Sequence, residues 1–126
     1  MNIRPITPFD VLRIRRVHEK YFNEEFEFPN FFERFLSAYL VEDDKEQIIA
    51  ACGVRPIAEA VLITNKDKSV RVRREALFKI LHASMFVCNR LGYDQLHAFV
   101  QDDSWKKHLE NVGFEPTKGQ SLVIGV

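Results

Sequence analysis

Residues 69–92, SVRVRREALFKILHASMFVCNRLG, restrict what this chain can fold into more than any other stretch. Val72, Ala76, Leu77, Ile80, Leu81, Ser84, Met85, Cys88 and Leu91 recur at the i, i+3, i+4, i+7 spacing of one buried helix face. Ser69 is placed to cap the helix, and Gly92 to end it. The flanking segments, AVLITNKDK and YDQLHAFVQ, read as strands. A strand, a basic turn, a long amphipathic helix and a second strand therefore follow in order. Lys66, Lys68, Arg71, Arg73 and Arg74 surround the helix start, where unpaired amides already favour an anion.

The rest of the chain supplies short elements of both kinds. NIRPIT reads as a first strand, and Asp10 opens a helix that runs to about Phe22. NEEFEFPNFFERFLSAYL carries phenylalanines at 26, 28, 31, 32 and 35, too many for an exposed loop. They form either core packing or an aromatic wall facing a substrate. Pro29 precludes one continuous helix there, so a short helix is expected from Asn30 to about Ser37. Ala38–Val41 and Gln47–Val54 are a hairpin around EDDKE, with Ile57–Thr64 as the third strand of the meander. Ser104 caps a last helix that Gly113 stops, and Phe114–Val126 makes a closing hairpin. The fold class is α+β: a central mixed, mostly antiparallel sheet flanked by helices, in a single domain over residues 1–126.

Charge narrows the partners. Eighteen basic and eighteen acidic side chains cancel, which argues against a nucleic-acid surface as the main business. Locally the balance breaks. Residues 66–79 hold six basic side chains against Asp67 and Glu75, while Glu24, Glu25, Glu27 and Glu33 form an acidic stretch that would suit a cationic acceptor. Cys52 and Cys88 read as reduced core residues, and no metal-ligand spacing is present. No apolar run approaches the ~20 residues of a membrane span. A soluble, cytoplasmic protein is expected.

The order of these elements, the opening NIRPIT, LGY before a strand, and the segment QDDSWKKHLENVGFEP resemble the GNAT superfamily of acyl-CoA N-acyltransferases. The resemblance spans essentially the whole chain, and implies an acetyl-CoA co-substrate and an amine acceptor, small molecule or protein. Strands 57–64 and 94–101 would run parallel and diverge, and the coenzyme's pantetheine arm would lie between them against Leu62, Ile63 and Thr64. Its pyrophosphate would meet the start of the long helix at Arg71, Val72, Arg73 and Arg74. Asp102, in the place of a family asparagine, and Trp105 would complete the cofactor site. Glu59 would act as general base, and His97, out of phase with Leu96, Ala98 and Val100, would project into the cleft as a second catalytic group.

The departures are specific. The family's phosphate loop carries glycines that let backbone approach phosphate; here the small positions fall on Glu75 and Leu77, and residues 69–79 hold no glycine. The tyrosine that protonates the departing thiolate is replaced by Leu109, with His108 beside it and facing another side. RREALFKIL, LHAFVQD and the tryptophan before HLENVGF resemble compact members among tailed bacteriophages. Two functions follow from the resemblance: an acetyl-CoA-dependent N-acetyltransferase, or a catalytically silent structural or interaction protein of a phage, in the host cytoplasm or the virion. Tyr39 and Phe86 are candidates for a homodimer contact; a phage protein is the other partner the resemblance implies.

Overall fold

The computed structural model describes residues 1–126, an α+β chain that divides into two compact units, Met1–Pro56 and Ile57–Val126. In the first unit β1 (Asn2–Pro5), β2 (Ser37–Glu42) and β3 (Ile48–Val54) form an antiparallel sheet in the order β1-β2-β3. A register shift lies between Val41 and Glu42. A 3-10 turn at Pro8–Asp10 leads into α1 (Val11–Tyr21). Ile6, Ile14, Phe31 and Leu40 form the core, with Phe28, Phe35, Ala38 and Ile48 packed against it. Leu40 is fully buried because β2 is the central strand.

Phe31 and Phe35 reach that core over Gly53. A Cβ there would lie 2.9 Å from Phe31 Cδ1 and closer still to the Phe35 ring, so only glycine fits. The dense phenylalanine segment thus splits: Phe31 is buried, Phe28 and Phe35 are half-buried, and Phe26 and Phe32 are exposed. The expected helix over 30–37 does not form; turns and bends take its place, with Arg34 at φ 62°.

The second unit is built on α2 (Val70–Arg90), with β4 (Ala58–Glu59), β5 (Leu96–His97) and α3 (Asp103–Asn111). Ser69 caps α2, its hydroxyl accepting from the Val72 N–H at 3.3 Å, and Gly92 follows at φ 84°. Only Leu77 and Leu81 of the long apolar stripe are buried; they pack on Leu109, with Leu62, Leu96, Ala98, Trp105, Val112 and Phe114 around them. Val72, Ile80, Met85 and Leu91 are at least half exposed, because two dipeptide strands and one short helix cannot cover so broad a face.

Several expected elements are corrected. The expected single central sheet is two separate ladders, and β4 pairs with β5, not with β3. The expected strands 57–64 and 94–101 shrink to two residues each, and no strand forms over 114–126. Asp102, not Ser104, caps α3, accepting from the Trp105 N–H at 2.7 Å. Cys52 is exposed and Cys88 half-buried, so neither is a core residue; both are free thiols. No helix is long and apolar enough to cross a membrane.

Candidate functional site

The chemistry-bearing residues of the second unit lie at the end of the β4–β5 ladder and around the starts of α2 and α3. The two strands run parallel in the register Ala58↔Leu96 and Glu59↔His97. One further bond, Ala60 N–H to His97 O at 2.8 Å, closes the ladder. Beyond it no backbone hydrogen bond joins 61–64 to 98–101. Both segments retain strand-like composition, but with no partner their amides and carbonyls stay free.

A hollow of about 180 Å³ fills this gap, walled by Ala60, Leu62, Ala98, Val100, Asp102 and Trp105 among others. A larger cavity of about 480 Å³ shares Asp102 and Trp105 with it and extends to Thr64, Lys66, Val70, Arg73, Leu77, Ser104 and His108. The two hollows thus form a trough that passes the starts of both α2 and α3. Each helix start adds unpaired backbone N–H groups and the positive end of its dipole.

Of the basic cluster around the α2 start, only Lys66 and Arg73 line the cavity. The reason is helical phase. Val70, Arg73 and Leu77 lie at i, i+3 and i+7, and Leu77, 3 % exposed, fixes that face inward. Arg71, Val72 and Arg74 fall on other faces and are exposed, outside the cavity wall. Arg73 Nε is buried and has no hydrogen-bond partner. A guanidinium N–H left unpaired in the interior is costly, and an anionic or carbonyl oxygen in the cavity would satisfy it. Glu75 points away, exposed and paired with Lys79 Nζ at 3.6 Å, while Leu77 forms wall rather than obstruction.

The two expected catalytic residues sit side by side as the final register pair before the strands separate. Glu59 is exposed; His97 is half-buried, its Nδ1 buried and without a partner. No hydrogen bond or ion pair joins them, and neither lines the trough wall. Leu62 and Thr64 face the trough, whereas Ile63, 88 % exposed, alternates away from it. His108 lines the larger cavity, contrary to the expectation that it faces elsewhere. Its ring stands edge-on to Trp105 at 6.0 Å, one helical turn away. In the larger cavity, Lys66, Val70, Leu77, Ser104 and His108 are wall residues that the family pattern did not select. Helical phase, read from Leu77 back along α2 to Val70 and from Trp105 forward along α3 to His108, was the signal available for those two. No three His, Cys, Asp or Glu side chains gather as a metal site.

The geometry suits an extended ligand with an amide-bearing arm and an anionic end. The gap offers free backbone groups, and the larger cavity offers Lys66, Arg73 and helix-start amides to an anion. No protein-family model matches the chain, and no curated protein matches it.

Proposed function

We propose that the chain is a GNAT-fold N-acetyltransferase that binds acetyl-CoA in the trough of its second unit and acetylates an amine. One observation carries the reading: two parallel strands pair for two residues and then part around a hollow that leads to a basic helix start. That arrangement accommodates a pantetheine arm followed by a diphosphate. The residues present fit the group, since Arg73 Nε lacks a partner and the gap offers unpaired backbone.

Acetyl-CoA supplies an activated thioester carbonyl. Lys66 and Arg73 neutralise the diphosphate, in place of the glycine-cradled backbone used elsewhere in the superfamily. The free edges of 61–64 and 98–101 would hold the arm, on the side of the ladder where Glu59 and His97 form the last register pair. Glu59 would take a proton from the acceptor ammonium, directly or through water; the freed lone pair would form the N–C bond to the thioester carbonyl as the C–S bond breaks, and coenzyme A would leave as the thiolate and take its proton from solvent. The exposure of Glu59 leaves it accessible to an acceptor arriving from solvent.

A second reading is favoured by Leu109. It occupies the family's tyrosine position and is 3 % exposed in the core, so no phenol protonates a leaving thiolate there. On that reading the fold is a silent scaffold for a phage structural or interaction role.

Thermal unfolding with acetyl-CoA separates the two. A ligand held only by the native state, at a hundredfold its Kd, adds about 2.7 kcal/mol and raises Tm. Glu59→Gln should then lower turnover with cofactor affinity nearly unchanged. No Tm shift at millimolar acetyl-CoA leaves the scaffold reading.

A further inference from the structure

The first unit carries a surface that the acyl-transfer reading does not use. Past the end of α1 the chain folds back in a hydrogen-bonded turn. Phe22 N–H donates to His18 O at 2.7 Å, and Glu25 and Phe26 N–H donate to Phe22 O at 2.9 and 3.3 Å. Phe26 is then tied down twice. Its carbonyl is 2.6 Å from His18 Nε2, and its ring stands edge-on to the buried imidazole at 5.1 Å. The outer side of this anchored turn presents Phe22 and Phe26, 40 % and 51 % exposed, with ring centroids 5.6 Å apart.

Neighbouring aromatic faces in the same unit already hold cations. Arg15 lies over Phe28 at 4.5 Å, Lys20 over Tyr21 at 5.1 Å, and Arg55 over Phe35 at 6.0 Å. Phe22 and Phe26 have no such partner. The carboxylates beside them are unmatched as well: Glu19, Glu24, Glu25 and Glu27 are exposed and form no ion pair. Residues 19–28 contain those four acids against Lys20 alone, a local charge of −3. Phe22 also meets Tyr21 at 6.4 Å, so what the turn offers is the exposed part of two packed rings. Bordered by unpaired carboxylates, it matches a side chain that is cationic at its tip and apolar along its stem. The same charge repels phosphate backbones and acidic partners.

We propose that the Phe22–Phe26 turn is a docking surface for a basic, lysine- or arginine-bearing segment of a partner protein. The inference is independent of acetyl-CoA binding, which it neither requires nor predicts.

The test uses the full chain and a fluorescently labelled lysine-rich peptide, with its norleucine counterpart as control, read by anisotropy. The lysine peptide binds, added salt weakens it, and the norleucine peptide does not bind. Glu24→Gln/Glu25→Gln/Glu27→Gln raises Kd by about tenfold or more. Phe22→Leu, which keeps apolar volume but removes the ring face, raises it by about threefold. Both variants change exposed side chains, and an unaltered melting curve shows that the fold is kept. Equal binding of the norleucine peptide, an unchanged Kd in the charge variant, or no binding at millimolar peptide overturns the proposal. So does self-association of the chain that the charge variant abolishes, because the occupant is then a second copy.

Discussion

Asp10 is 3 % exposed and keeps its charge because five donors surround it. Arg4 gives two guanidinium bonds at 2.8 and 2.7 Å, Arg13 one at 2.8 Å, and Thr7 its N–H and hydroxyl at 2.8 and 3.0 Å. The bond from Arg4, ahead of the opposing cost of burial, holds the carboxyl far below its ordinary value of 3.8. A depressed carboxylate stabilises the native state above its unfolded value, and that contribution drains away as pH falls below it. Asp10→Asn should cost on the order of 2 kcal/mol at neutral pH, and the gap to the parent should narrow below about pH 4. Melting curves at neutral and acid pH check this; an equal gap at both rules out the ionic account. The sequence places Asp10 at a helix start, but its partners were not legible there. Arg4 also reaches Glu42, and that meeting depends on a β1–β2 register that no local pattern encodes.

At the scale of elements, the β2–β3 hairpin shows how a turn can be right in outline and strained in detail. Asp43 Oδ1 accepts from Lys45 and Gln47 N–H at 2.8 and 2.9 Å, which folds EDDKE back on itself as its composition predicts. Glu46 is then left at φ 60°, a left-handed conformation that costs a side-chain-bearing residue energy. Its backbone carbonyl receives Arg13 at 2.8 Å, and that bond survives loss of the side chain. Glu46→Gly should therefore raise stability by about 0.5–1 kcal/mol, read as a higher denaturant midpoint; a lower one would show that backbone entropy outweighs the relieved strain. The long helix was legible for a different reason: its cap, stop and periodicity are all local. Strands are not local. AVLIT has the right composition, yet Val61 is 76 % and Ile63 88 % exposed, because nothing pairs with them. Asp102, Asp103 and Ser104 are all acceptable caps, and only the backbone geometry of Asp102 selects among them.

For the whole molecule, the side chains sort into two clusters, one around Leu40 and one around Leu77, Leu81 and Leu109. The trough and its cations belong entirely to the second. Hydrogen exchange with and without acetyl-CoA should slow at amides opening α2 and α3 and in 60–64 and 98–101, leaving 1–56 unchanged. No slowing, or slowing confined to the first unit, would count against acetyl-CoA binding in the trough. The α+β class was legible because element order is written in the sequence, and so was the basic helix start beside which the larger cavity lies. The choice of Arg73 over Arg71 and Arg74 was not drawn from it, because it depends on which leucine the core takes. That dependence makes the helix behave like a reading frame. One residue added between Arg74 and Leu77 would carry Arg74 into the place of Arg73, so a guanidinium would still face inward. One residue lost there would bring Val72 round instead, and the site would go silent while the core stayed whole.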